Sequence, residues 1–347
     1  MIPFEIDISD TTVVAAGRIK RPLLIPHPDI PNDWILQIDN TTMEYFQTCP
    51  RSAQFYCVER REKGERAPLI FGGAIHEGLE VLYRDGFSAL PTAKARCLDY
   101  FASQPSVQVG EWRTPEYALE ALDRYVSYWS MMDNLEPIVH NGKKFVEQPF
   151  ALNLGKLELN CPLPYSLSKL TADNNTAHVY VKTLHIQWTG KVDIAATNAS
   201  PAVYIVDHKT TSMGGMTFFA DFELAQQTHG YTWALQKLLG HRVAGFILNA
   251  LIIRKPTRTG VGMEFERRVY PYSEDAITEW ETDTMASVEQ FVHSLIHASF
   301  PKYTKWCMGK YGACQYHQVC TLPAAQRGIM LGSSYYNDVT WSPLVKE

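Results

Sequence analysis

The sequence predicts an α/β fold, a mixed central sheet flanked by helices, and three observations carry that expectation. Helical periodicity runs from residue 73 to about 132; five β-branched or aromatic runs separated by turn-formers follow Lys144; and an amphipathic stretch, 221–239, leads into the apolar run 243–253. Strands joined by short turns pair antiparallel, whereas a helix between two strands is the crossover that a parallel pair needs. A sheet with both kinds of pairing follows.

In chain order, Pro3, Pro22, Pro26, Pro28 and Pro31 break any long helix, so residues 1–38 read as an irregular N-terminal arm. Asp39, Asn40, Thr41 and Thr42 form an N-cap region for a short helix that Pro50 interrupts, presenting Cys49. Between Gly73 and Tyr83 the apolar residues Ile75, Leu79 and Leu82 follow i, i+4, i+7, which sets His76, Glu80 and Tyr83 on the adjacent face. The helical text of about 85–140 reads as an insertion without evident chemistry. Residues 145–150, 157–159, 179–188, 190–196 and 203–209 then read as strands. A turn at 197–201 folded about Ala199 would set Asp193 opposite residue 205, close to Asp207. In the helix 221–239, Leu224, Thr228, Tyr231, Leu235 and Leu238 share one side and Gly240 is the stop.

A 46% apolar, 12% aromatic composition can bury a large core, which excludes disorder, collagen and coiled coil for the 347 residues. The acidic start lacks the basic and apolar regions of a secretory signal, and no stretch is long enough to span a bilayer, so a cytoplasmic protein without a membrane partner is expected. Seven cysteines in that setting suggest thiols or metal ligands rather than a disulfide framework. The net charge of −5 does not advertise nucleic-acid binding, but it leaves room for a local basic groove. Arg51, Arg60, Arg61, Lys63, Arg254, Lys255 and Arg258 could line one, or could simply be solvated.

The stretch 190–212 carries the most chemistry. Asp207 and Lys209, two apart on a strand, leave the same face, and the hairpin brings Asp193 to the same edge. Two carboxylates and an ammonium suit a hard divalent cation and a phosphoryl transition state. The plain alternative is a structural ion pair beside a turn. Gly190-x-x-Asp193, a strand ending in Asp207-x-Lys209 and a helix bearing Gln227-x-x-x-Tyr231 resemble the PD-(D/E)XK nuclease superfamily, its RecB-like branch in particular. Residues 72–80 resemble the G-x-x-x-H-x-x-L-E helix of that branch.

The resemblance implies a restriction-endonuclease-like fold, with His76, Asp193, Asp207 and the carbonyl of His208 as ligands of Mg²⁺ or Mn²⁺. It implies further that Lys209 helps to activate water and that Gln227 and Tyr231 position the lysine or the DNA. Read as structure alone, His76 is a core or capping group, and Tyr231 a core residue. Glu147 matches a strand glutamate of these nucleases, or is an exposed strand carboxylate.

Cys307, Cys314 and Cys320 lie within fourteen residues, and Cys49-Pro50-Arg51 lies near the other end of the chain. That arrangement resembles the iron–sulfur RecB-like nucleases, including AddB-type domains, CRISPR-associated exonucleases and phage homologues. It implies a [4Fe–4S] cluster joining the chain ends; four thiolates suit structural Zn²⁺ equally by count, and His317 could replace one of them. Cys57, Cys97 and Cys161 read as buried thiols.

These readings give an arm (1–38), a nuclease domain (39–325, its cysteines at 307–320) and a tail (326–347). They imply a metal-dependent exodeoxyribonuclease of repair, recombination or phage genome processing. The alternative is a non-catalytic, cluster-bearing DNA-end-binding subunit of a recombination or CRISPR adaptation complex. A helicase P-loop is absent from the sequence, so any unwinding would belong to a partner.

Overall fold

In a computed structural model, residues 23–63, 67–104, 112–140, 142–162, 180–198, 201–258, 260, 262–309 and 312–339 are described. Asp39 caps the first helix, α1 (Asn40–Thr48), by accepting the N–H of Thr42, and Cys49 stands at its C-terminal end. The expected histidine helix is α2 (Ala67–Asp85), with Ile75, Leu79 and Leu82 buried. α3 (Leu90–Ser103) and α4 (Pro115–Trp129) form the insertion and pack on α2. The irregular arm is corrected over its described part: β1 (Leu24–Pro26) and β2 (Trp34–Ile38) belong to the sheet, and every residue of β2 is buried. Pro26 sits in β1 and Pro28 and Pro31 in the turn after it, which leaves Trp34 to Ile38 free to pair, whereas Pro3 and Pro22 lie outside the described residues.

After the short strand β3 (Leu135–Pro137), two long strands replace the four short ones expected. β4 (Val146–Pro162) absorbs 145–150 and 157–159, and β5 (Tyr180–Asn198) absorbs 179–188 and 190–196. Gly155 and Gly190 do not end them. Gly190 instead serves packing, because a Cβ there would come within 2.7 Å of Phe150 and 3.2 Å of Tyr231. β6 (Val203–Thr211) pairs antiparallel with β5. α5 (Gln226–Leu239) then crosses over to β7 (Gly245–Ile253), which is fully buried and parallel to β6, and β8 (Met263–Tyr270) closes that edge. α5 starts five residues later than expected, leaving Leu224 exposed, and ends at Gly240 in the left-handed conformation.

α1, α5 and α6 (Glu274–Ile296) cover one face of the eight-stranded sheet, and α2 to α4 cover the other. The expected tail is tied back: a helix at Ala324–Leu331 is followed by Tyr336–Asp338, which pairs with Arg61–Lys63. Among the described residues, no helix is long and apolar enough to cross a membrane.

Candidate active site

β5 has more partners than one edge can hold, and that excess creates the site. Residues 184–188 pair with both β2 and β4, and Ile194 pairs with both β4 and β6. β4 therefore occupies one edge of β5 from Tyr180 to Ile194, with β3 continuing it at 196–198, while β2 and β6 share the other with their C-terminal ends converging on residues 189–193. Asp193 lies in that gap. The register Ile194↔Val206 continues to Asp193 opposite Asp207, two residues from the expected partner 205, because the hairpin is centred one residue later. Here the ladder gives way, and the His208 N–H goes to Asp193 Oδ2 at 2.9 Å. A residue's N–H and C=O leave an extended strand on the same side, so the His208 carbonyl faces this gap too.

Glu147 enters from the opposite edge. It lies between the pairs Val146↔Ile194 and Gln148↔Val192, with φ at +53°, a left-handed conformation unusual in a strand. That local strain aims its carboxylate at His76 Nδ1, 3.4 Å away, and at Lys191. His76 Nε2 lies 2.7 Å from Asp193 Oδ2. Burial opposes charge on His76, but Asp193, Glu147 and Asp207 outweigh it and push the imidazole up to about 9. On Asp193, burial is overcome by His76, His208 and Lys209, and the carboxyl is held well below its usual range.

On β6 itself, Lys209 Nζ forms an ion pair with the buried Asp207 Oδ2 at 2.8 Å. Burial and nearby Asp193 push Asp207 up to about 6, even with Lys209 opposing. Burial likewise acts against Lys209, yet Asp207 and Asp193 raise it, so it keeps its proton at neutral pH. As an ammonium it can orient water and offset charge. Gln227 donates to the Tyr231 hydroxyl (3.2 Å), and burial with Asp207 and Asp193 nearby pushes that phenol far up, which keeps it a neutral hydrogen-bonding group.

The structure thus brings together all of His76, Asp193, Asp207, His208, Lys209, Gln227 and Tyr231. Among the described residues, His76, Glu147 and Asp193 alone draw three ligand atoms within 4.8 Å of one another, and Asp207 stands just outside that set. An imidazole and three carboxylates are a donor set that fits a hard divalent cation.

Sequence reasoning missed Lys191 and Glu44. Lys191 lies two before Asp193 as Lys209 lies two after Asp207, and that symmetry was the available signal. Glu44 of α1 shares a field with Lys209 and has no sequence signal. Also missed was a buried network beneath the site. Arg267 of β8 binds Asp133 through both terminal nitrogens (2.7 and 2.8 Å), donates to Tyr83 (2.6 Å), and reaches Asn249 through Nε (3.2 Å). Asn249 contacts Tyr125 and His208 Nδ1, each at 2.7 Å. Asp133 and Tyr125 come from the stretch read as having no chemistry. Burial, with His76 adding to it, drives His208 down to about 3, so its ring stays neutral behind the carboxylates.

The profile of the PD-(D/E)XK nuclease superfamily matches residues 40–321. The chain belongs to this superfamily. Similar solved structures include a protein from Eubacterium rectale provisionally described as an exonuclease, with TM-score 0.47 and 13% identity over 78% of this chain and 85% of that one. Another is SSO0001, with TM-score 0.26 and 14% identity over 75% and 78%. No curated protein matches. PD-(D/E)XK nucleases hydrolyse phosphodiester bonds with divalent metal ions, and His76, Glu147 and Asp193 form a group that could bind one.

At the chain ends of this nuclease, Cys49, Cys307, Cys314 and Cys320 are half-buried and share one electrostatic neighbourhood. The Cys49 sulfur accepts the Tyr303 N–H at 3.4 Å, and the Cys307 carbonyl accepts the Cys314 N–H at 2.9 Å. Burial and the other thiols push Cys314 and Cys320 up, and Arg51 opposes this at Cys320. No three of these sulfurs lie within 4.8 Å of one another. Arg51 donates to the Phe300 carbonyl and Arg61 to Asp338 and the Leu331 carbonyl, so these two arginines tie the chain ends together, while Arg60 is buried. Cys57 and Cys97 are buried thiols, each pushed up to about 12 by burial, and Cys161 is half-buried.

Proposed function

We propose that the protein is a metal-dependent deoxyribonuclease that degrades DNA from its ends. The observation that carries this reading is the convergence of His76, Glu147, Asp193, Asp207 and Lys209 on one gap in the sheet. In it, Asp193, Asp207 and His76, with Glu147 and the His208 carbonyl beside them, hold Mg²⁺ or Mn²⁺. Such a cation, when bound, supplies Lewis-acid polarisation of the scissile phosphate. Lys209, anchored by Asp207 yet about a third exposed, orients the attacking water and offsets charge on the phosphoryl oxygens. Tyr231, braced by Gln227, hydrogen-bonds the lysine or the DNA backbone at the lip of the gap. The network under His208 fixes its main chain, and so the orientation of Asp193.

We assign Cys49, Cys307, Cys314 and Cys320 to a [4Fe–4S] cluster in preference to zinc. Four thiolates suit either group by count, and the resemblance to iron–sulfur nucleases favours iron. The cluster's role in this reading is to fasten residues 300–339 to the segment 49–63 of a single nuclease domain.

The test is cleavage of end-labelled linear DNA and covalently closed circles, single- and double-stranded, by anaerobically purified protein with Mg²⁺ or Mn²⁺. Metal-dependent loss of linear DNA alone supports an exonuclease; cut circles would make it an endonuclease. Intact DNA with folded, iron-loaded protein would overturn catalysis in favour of an end-binding subunit.

A further inference from the structure

Beyond Lys209 along β6 lies a cavity of about 200 Å³ whose wall includes Phe71, Trp112, Arg113, Thr210, Ser212 and Ile253. We propose that it is a subsite for one unpaired nucleobase of a DNA strand entering the gap, an inference that rests on the nuclease reading and adds a preference for single strands.

Position is the first argument. Phe71 and His76 lie on the same helix five residues apart, about 7 Å along its axis, and Thr210 directly follows Lys209. A base in the cavity therefore belongs to a nucleotide next to the one at the carboxylates. Shape is the second. The volume falls below the ~300–1,000 Å³ of sites for drug-sized ligands, which leaves room for one planar ring system and excludes a stacked base pair.

Chemistry is the third. The Arg113 guanidinium lies over the Trp112 ring, 4.1 Å from its centroid, and forms the layered cation–aromatic platform on which unstacked bases settle. Trp112 is held from behind by Phe71 and Tyr117, with ring centroids 6.2 and 5.9 Å away, so the platform is braced. Pro68, Phe71 and Ile253 make an apolar wall, whereas Thr210 and Ser212 offer hydroxyls with no hydrogen-bond partner among the described residues, suited to a base edge. With a single cation stacked on an aromatic ring, and hydroxyls beside apolar side chains, the cavity suits the face and edge of a base better than a phosphate. Bases in a duplex are already stacked and paired, so only a single strand or a frayed end can supply one.

The experiment is binding of a labelled single-stranded oligodeoxynucleotide in EDTA, where cleavage cannot interfere. Trp112→Ala should weaken binding about tenfold, within the range for losing one stacked base, and Trp112→Phe should restore most of it. An abasic nucleotide moved along the strand should weaken the unmodified protein by a similar factor at one position only, and should cost Trp112→Ala nothing there. A flat abasic scan, an undiminished Trp112→Ala or no single-strand binding would each overturn the subsite. Because the scan uses the unmodified chain, it decides the question even if the alanine variant does not fold. Metal-dependent cleavage, measured separately, tells failure of the subsite from failure of the nuclease reading.

Discussion

The gap in the sheet and the cysteine junction at the chain ends both gather groups that repel one another, but they offset the repulsion differently. In the gap, Glu147, Asp193 and Asp207 are balanced within the fold by Lys191, His76 and Lys209, and each is fixed by a strand or helix. At the junction, Cys307 and Cys314 sit in loops and Cys320 in the short helix His317–Thr321, with Arg51 acting on Cys320 and Lys63 on Cys314. On the reading proposed above this is a division of labour: a metal ion at the gap would serve chemistry, and one at the junction would serve structure.

The largest effect should come from the junction. Cys320→Ser should release the link between segments lying nearly a chain length apart, a closure of about 5 kcal/mol in chain-entropy terms. Calorimetry should show a much lower Tm together with lost iron, and an unchanged Tm would break the comparison. Next in size, Asp207→Asn should cut the cleavage rate about 10³-fold while Tm holds or rises, because the ionised carboxylate is buried beside Asp193 at a cost. A Tm several degrees lower would show that the gap is structural after all.

Arg267→Met tests whether the gap rests on the network beneath it. Removing one partner of this buried pair should cost about 3 kcal/mol in urea unfolding. The same pair sets an acid limb. Burial works against the Asp133 carboxylate, but the hydrogen bonds and charge of Arg267, with Leu135 and Tyr83, hold it below its ordinary 3.8. Its contribution is therefore complete above that pH and is lost as pH falls below it, and Arg267→Met should flatten this loss in a pH series. The smallest effect, about 2 kcal/mol, is expected for Gly190→Ala, whose methyl would press on Phe150 and Tyr231. Activity should fall further than stability alone explains, since Tyr231 is displaced; equal losses would remove Tyr231 from the site.

Most of this architecture was legible in local pattern. The cap at Asp39, the buried stripe of α2, the crossover to β7 and the stop at Gly240 each follow from spacing or from one residue's conformational preference. Motif order pointed to Asp193, Asp207, Lys209, Gln227 and Tyr231, which lie near one another in the structure. What escaped was long-range. β2 owes its place to pairing with β5 some 150 residues later, which its proline-rich neighbours concealed. Glu147 reaches the site only because one residue adopts a left-handed conformation inside a strand, and Arg267, Asn249 and Asp133 meet only once β7, β8 and α4 are packed. Glycine and proline punctuate short windows, but at Gly190 the missing side chain serves a neighbouring tyrosine, not a turn.

The most direct test of the division of labour is a paired measurement on Lys209→Ala: Mn²⁺ binding by calorimetry, and single-turnover cleavage of end-labelled DNA at saturating Mn²⁺. The predicted result is Mn²⁺ affinity within a few-fold of the unmodified protein, an unchanged Tm and cleavage reduced at least 10³-fold. Cleavage at the original rate would contradict the assignment of Lys209, and with it the claim that this gap is where the phosphodiester bond is broken.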